Sequence, residues 1–401
     1  MPRALVVQLA RLGDLLQTLP AIIGLRTRYP QTQFDLLCPS HLSEAGHLLP
    51  GVGKVLEWDG AGWQRRAMAA CRNLRAEHLA EAETALMALA PDRYDCAYVL
   101  NQHRRALVAG SLLAQEVKGP VLQGPLGERL TPWAAYLRNV AQQRVGQRVH
   151  LADAFCGLCG VSPPGQVVAL DAPAVRLPGD LEPIGKQGAP WIAVIVGAGE
   201  SERFVPTEVW RRWITTFLSS APQGRVVLVG TERERAAEIQ APLSPSTLGR
   251  IWDTTGRTSL TQLAAILARC HRVVGSDTGA LHLAAALGRP VIGWYFARAR
   301  LHETGPYGLH HIVWQAEEVT REHDEPRAGS SLVSGCPSPS HWPVDETVSA
   351  VLDQGCQASP GWNVWTSHCD GWGAYYTPVG QAAIPPRERE ALWHELVPVL
   401  S

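Results

Sequence analysis

Short apolar runs rich in β-branched residues alternate along this chain with longer stretches of helical periodicity. Ala4 to Leu9 reads as a buried strand, Leu12 to Tyr29 as a helix that tolerates Pro20, and Phe34 to Leu37 and Tyr94 to Leu100 as further strands. After the strongly apolar Trp191 to Val196, the rhythm resumes with strands at Arg225 to Val229, His271 to Val274 and Pro290 to Trp294. Helical stretches at Pro206 to Ser219, Arg233 to Ala241 and Ser259 to Ala268 lie among them. Parallel strands need a crossover connection, usually a helix, so this alternation predicts parallel sheets covered by helices on both faces.

Between the two halves, "PGDLEPIGKQGAP" (Pro178 to Pro190) has no period and is dense in Gly and Pro, the composition of a linker. Single cores stop growing near about 250 residues, and this chain has 401. The pattern therefore predicts two doubly wound α/β domains, residues 1–180 and 181–355, with an extension over 356–401. Past Glu318 the pattern weakens. Glu322 to Pro343 reads as a polar connection, Asp345 to Asp353 as a short helix and Arg387 to Leu400 as a terminal helix. The segment "GWNVWTSHCDGWGAYYTP" before that helix is either a structural cover for an apolar surface or a recognition loop.

Composition narrows the function. Charged residues make up 18% of the chain and the net charge is −1, so no global field draws it to nucleic acid or to an anionic membrane. No run approaches the roughly 18 apolar residues of a membrane span, and the apolar run after Met1-Pro2-Arg3 is too short for a signal-peptide core. The nine cysteines are scattered without framework spacing, as expected of reduced thiols in a cytoplasm. Cys156 and Cys159 stand in an apolar run and read as buried thiols. Cys336, His341, Cys356, His368 and Cys369 match no zinc or iron spacing, so no metal site is expected. The expectation is a cytoplasmic protein, with peripheral contact at the inner face of the membrane left open.

The most informative stretch is "VVGSDTGALHLAAALGRPVIGWY", Val273 to Tyr295. A strand ends at Gly275, Ser276-Asp277-Thr278 supplies cap-forming side chains, Gly279 allows close approach, and Ala280 to Leu287 continues as a helix. The first amides of such a helix lack internal partners and carry partial positive charge, which suits a phosphate. An ordinary capped strand-to-helix turn has the same pattern. "GAGES" at Gly197 lacks the third glycine of a dinucleotide fingerprint, which disfavours a Rossmann oxidoreductase. "NQHRR", Asn101 to Arg105, follows a strand and reads either as a solvated loop or as a contact for an anionic acceptor.

The run "TGRTSLTQLAAILARCHRVVGSDTGALHLAAALGRPVIGWY" (Thr255 to Tyr295), continued by "TGPYG" (Thr304 to Gly308), resembles the signature region of glycosyltransferase family 9, the ADP-heptose:lipopolysaccharide heptosyltransferases. "LARLGDLLQTLPAI" (Leu9 to Ile22) resembles the family's N-terminal motif, and "GAGESERFVP" (Gly197 to Pro206) is family-like as well. The resemblance implies a GT-B fold, two Rossmann-like domains facing a central cleft. It implies an inverting transferase without a tightly bound metal or other cofactor, using a sugar nucleotide, ADP-heptose above all. The acceptor would be a glycan, a glycolipid or a surface protein.

Carried over by motif, Asp14 is the implied base for the acceptor hydroxyl, with Arg11 and Gly13 forming the turn beside it; a plain helix-capping role is the alternative. The amides of Thr278, Gly279 and Ala280, with Arg203 as a cation, would hold the departing diphosphate, unless Arg203 instead pairs with Glu200 or Glu202. Asp277 and His282 would face the donor, His282 reading equally as a packed core residue. Glu232 would take ribose hydroxyls or simply face solvent. The sequence departs from the family where Gln8 and Ala10 stand in place of Arg and Ser. From a different class, a catalytically silent sugar-nucleotide-binding module is the competing reading.

Overall fold

The computed structural model describes the chain except for residues 61, 63, 64, 66, 67, 69–75, 124–126, 144–148, 167, 168, 186, 187, 318–341 and 397–401. Most of the expected polar connection from Glu322 to Pro343, with Cys336 and His341, thus lies outside the described residues. Among those described, no helix is long and apolar enough to cross a membrane.

Strands β1 (Arg3–Val7), β2 (Gln33–Pro39), β3 (Val52–Trp58), β4 (Tyr94–Val99) and β5 (Ala114–Lys118) form one parallel sheet in the order β3-β2-β1-β4-β5. Two short strands, β6 (Val121–Gln123) and β7 (Gly127–Arg129), pair separately. A second sheet holds β8 (Trp191–Ile195), β9 (Arg225–Val229), β10 (Ile251–Asp253), β11 (Arg272–Ser276), β12 (Val291–Tyr295) and β13 (Ile312–Ala316). These six are parallel, in the order β10-β9-β8-β11-β12-β13. Both sheets are doubly wound. In each, strand order reverses beside the first strand, between β1 and β4 and between β8 and β11, and at such a switch point the loops leaving the carboxyl ends diverge and leave a crevice.

Contacts divide the chain into two units. The first comprises Met1–Gln143, Ala152–Pro164 and the segment from Glu390; the second runs from Gly165 to Arg389 and includes His150 and Leu151. The aromatic segment after residue 360 is sheet. It forms β14 (Trp362–Asp370) and β15 (Gly373–Pro378), an antiparallel hairpin that extends the second sheet beyond β13, with Trp314 opposite Val364 and Ser367 opposite Tyr376. Trp362 enters the core of that unit, where Trp210 stacks on Trp294 at 4.8 Å and Trp342 lies 5.4 Å from both Trp294 and Trp362. Much of the tryptophan enrichment is therefore packing, with large apolar area buried at little side-chain entropy cost.

The single helix expected from Leu12 to Tyr29 is two, Leu12–Leu16 and Leu19–Arg28. Pro20 falls in the first turn of the second helix, where a missing N–H has no intrahelical partner to lose. Cys156 and Cys159 are buried, and burial raises both thiols well above their ordinary range, so neither is a thiolate at neutral pH.

Two buried histidines carry no charge near neutrality. His150 donates from Nε2 to the Gly305 carbonyl at 2.9 Å; burial, aided by nearby His282, His302 and Arg389, lowers it to about 3. His311 accepts the Val291 amide at Nδ1, and burial with the neighbouring His310 and His282 lowers it to about 4. In the unfolded chain both titrate near about 6.5. The unfolded state thus binds more protons between pH 6.5 and those folded values, so their contribution is intact above pH 6.5 and lost as pH falls. Denaturant unfolding measured across that window should show stability falling by up to about 1.4 kcal/mol per pH unit for each histidine. His150→Asn combined with His311→Asn should flatten the profile, and an unchanged slope would refute the assignment.

Candidate functional site

In the first unit, the residues singled out by sequence occupy the turn that leaves β1. Leu12–Leu16 begins at once after Arg11, and Asp14, at its third position, folds its carboxylate back so that Oδ2 accepts the Arg11 amide at 3.2 Å. Asp14 therefore performs the capping role. The bond also orients the carboxylate. Beneath the turn lies a buried polar network. Gln8, fully buried, donates to Thr18 Oγ1 at 3.2 Å and to the Asp14 carbonyl at 3.4 Å, while Thr18 donates to the same carbonyl at 2.9 Å. Asn101, at the end of β4, bridges back by donating to Gln8 Oε1 and accepting the Leu9 amide.

That network ties together the two loops flanking the first switch point. It also separates the members of "NQHRR". Asn101 is structural and Gln102 donates to the Ala134 carbonyl at 2.8 Å, whereas Arg104 is 60% exposed. His103 precedes the Arg104–Leu113 helix; burial lowers its ionisation, and the negative charge of Asp14 acts in the opposite direction. Gln8 turns inward and holds the backbone beneath Asp14. Sequence reasoning assigned no role to Thr18 or to this use of Gln8 and Asn101, because partners 10 and 93 positions apart leave no local pattern.

In the second unit, β11 ends at Ser276 and the Gly279–Ala286 helix starts three residues later. Thr278 is its N-cap, with Oγ1 accepting the Leu281 amide at 3.3 Å. Gly275 is required in the strand, since a Cβ there would stand 2.9 Å from the Ile195 Cβ. The loop leaving β8 brings Arg203 across the switch point. Its guanidinium donates to Asp277 Oδ2 at 2.9 Å and to the Asp277 carbonyl at 3.1 Å, and lies 3.4 Å from Glu200. Glu202 turns away, 3.9 Å from Arg298.

Asp277 is 8% exposed and also meets His282 Nε2 through Oδ1 at 3.2 Å. Burial opposes its charge, but hydrogen bonding and charge from His282, then from Arg203, outweigh that and hold the carboxyl below its ordinary range. His282 is thus both a core residue and a partner of the site. Tyr295, unremarked in the sequence, ends β12 with its phenol raised well above the usual value by burial and then by Asp277. Glu232 follows β9 and accepts from Thr231 through both oxygens at 2.9 Å. It leans over Gly197, where a Cβ would fall 1.9 Å from its carboxylate. Arg203, Asp277, His282 and the helix start therefore form one cluster, and Glu232 sits on its own turn.

An arginine held beside the start of a helix, whose first amides have no intrahelical partner, is an arrangement that suits an anion. Among known proteins, the model of glycosyltransferase family 9 (heptosyltransferase) matches residues 87–328. Lipopolysaccharide heptosyltransferase 1 of Pseudomonas aeruginosa is 25% identical over 320 residues, covering 76% of this chain and 81% of the relative. The E. coli heptosyltransferase WaaC, solved with ADP, superposes with a TM-score of 0.58 at 22% identity over 78% of this chain and 93% of its own. A family 9 glycosyltransferase from Veillonella parvula gives a TM-score of 0.62 at 18% identity over 88% of this chain and 96% of its own. These heptosyltransferases share the GT-B architecture of paired Rossmann-like sheets, and a family match across more than half of the sequence shows that the chain belongs to glycosyltransferase family 9.

Proposed function

We propose that this protein transfers a heptose from ADP-heptose, with inversion, to the core of a lipopolysaccharide or a related envelope glycan. The observation that carries the reading is the Arg203–Asp277–His282 cluster at the start of the Gly279–Ala286 helix. Solved relatives support the donor: one E. coli heptosyltransferase is described with ADP and again with ADP-2-deoxy-2-fluoro heptose.

In this mechanism the amides of Thr278, Gly279 and Ala280 and the Arg203 guanidinium bind the diphosphate and take up the charge that builds as the glycosidic bond breaks. Asp277 does not touch the phosphate; it anchors Arg203 and His282, and its own negative charge is spent on them. Glu232 accepts the ribose hydroxyls, displacing its bonds to Thr231. Asp14 removes the proton from the attacking acceptor hydroxyl, with its carboxylate held by the Arg11 amide and the turn supported by Gln8 and Asn101. The reaction is cytoplasmic, where sugar nucleotides are made, and the acceptor is a glycolipid presented at the membrane face, with a surface protein as the second acceptor class.

Asp14→Asn should lower turnover by about 10²- to 10⁴-fold, the usual range for losing a general base, while leaving ADP affinity within twofold. Turnover within tenfold of wild type would remove Asp14 from that role. Arg203→Ala should weaken ADP binding by about tenfold or more, as for a lost hydrogen bond to a charged group; calorimetry showing unchanged affinity would disprove the phosphate contact. In a thermal-shift panel of nucleoside diphosphates, ADP should raise the melting temperature most, and a larger shift with UDP or GDP would overturn the choice of base.

A further inference from the structure

The loop Thr304–Gly308 closes the short helix Leu301–Thr304 that follows β12 and leads toward β13, while Tyr295, at the carboxyl end of β12, comes next after the Trp294–Ser276 pair of the ladder and so stands beside the turn bearing Asp277. Its carbonyls are taken one after another by side chains from separate elements. Tyr295 Oη donates to the Thr304 carbonyl at 3.0 Å, His150 Nε2 to that of Gly305 at 2.9 Å, and Tyr376 Oη to that of Pro306 at 2.8 Å. A trans peptide is rigid and planar, so fixing the Pro306 carbonyl also fixes the direction of the Tyr307 N–H in the same peptide unit.

Tyr376 belongs to β15, and the hairpin grips the loop at further points. The His302 ring lies edge-on to Trp365 at 5.1 Å and to Tyr376 at 5.9 Å. Beyond the loop, the His311 amide donates to Ser367 Oγ at 2.9 Å and the Ser367 amide returns to the His311 carbonyl at 3.0 Å. Gly305 is shaped to this contact, because a Cβ there would stand 2.1 Å from Tyr376 Oη. Tyr295 connects the loop to the Arg203–Asp277–His282 cluster, since the residue whose phenol bonds Thr304 ends the strand paired beside Ser276. The hairpin lies entirely after residue 328, where the match to the family model ends.

We propose that the β14–β15 hairpin is a clamp that presets the Thr304–Gly308 loop for the nucleoside diphosphate of the donor, with Tyr376 as the positioning residue. A loop already ordered loses less entropy when ligand arrives, so the clamp acts on affinity. The choice of ligand rests on the reading under Proposed function; the clamp itself rests on the contacts above. The neighbouring Tyr375 is an internal control, because it points to the other face of the strand and its hydroxyl reaches the Ala383 carbonyl at 3.3 Å.

The test compares wild type, Tyr376→Phe and Tyr375→Phe by calorimetry with ADP and by amide hydrogen exchange of the peptide containing Thr304–Gly308. Removing the Tyr376 hydroxyl should weaken ADP binding about fivefold, raise donor KM with kcat retained, and speed exchange in the loop, while Tyr375→Phe matches wild type. Equal affinity and exchange in Tyr376→Phe and wild type, or equal losses in the two variants, would overturn the clamp. If wild type itself binds no ADP, the donor assignment fails, and the exchange arm still decides whether Tyr376 orders the loop.

Discussion

A carboxylate as enclosed as Asp277 keeps its charge only because opposite charge and hydrogen-bond donors reach it from two directions, Arg203 from the loop after β8 and His282 from the helix after β11. An isolated buried charge costs several kcal/mol, so removing either partner leaves the other interaction to carry the desolvation alone. The arrangement is mutual. Asp277 sets the direction of the guanidinium, and the guanidinium bonds both the side chain and the carbonyl of Asp277. A flexible cation on a glycine-rich loop thereby becomes a fixed one beside a helix start, which is the preorganisation that stabilising a departing diphosphate demands.

The same topology supplies the setting in each unit. Parallel strands with crossover helices reverse direction beside β1 in one sheet and beside β8 in the other, and the loops that diverge there carry the polar side chains. In the first unit the buried Gln8–Asn101–Thr18 network joins those loops, and each of its bonds lies where water cannot substitute for a missing partner. Asp14 is held in place from below by the buried residues of this network. Polar groups this deep keep their place only while each is paired, so the network fixes the geometry of the turn above it.

The aromatic hairpin covers the apolar core of the second unit and also holds a neighbouring loop. Trp362 closes the tryptophan cluster of the second unit, so the segment is a cover, while Tyr376 on its second strand bonds the Pro306 carbonyl of the loop before β13. Strand alternation makes this division available, because successive residues of β15 face opposite sides. The sequence cue for a strand was obscured by Gly, His and Cys within the run and by the absence of any flanking helix of the parallel type. An antiparallel extension at a sheet edge needs only a short turn, which composition alone does not distinguish from a loop.

Local patterns were legible wherever the physics is local. The β-branched runs marked β1, β4, β8, β9, β11 and β12 within a residue or two, and Ser-Asp-Thr-Gly marked the helix start at Gly279 because caps act over three or four residues. Short edge strands such as β10 were not legible, their three residues being too few to show a period. The break at Gln17–Thr18 follows from Pro20, which has no N–H to give the Leu16 carbonyl, while the fully buried Thr18 fills the gap by bonding to the Asp14 carbonyl and to Gln8. The sequence by itself determined the alternating βα order, the positions of the glycines that let chains approach, and the identity of the charged residues at the loop ends. Only the tertiary structure decided that Arg203 takes Asp277 while Glu202 turns away, and that Tyr376 reaches Pro306 across 70 positions. Those pairings depend on which strands become neighbours and on the desolvation of each charge, quantities that exist only once the sheets have formed.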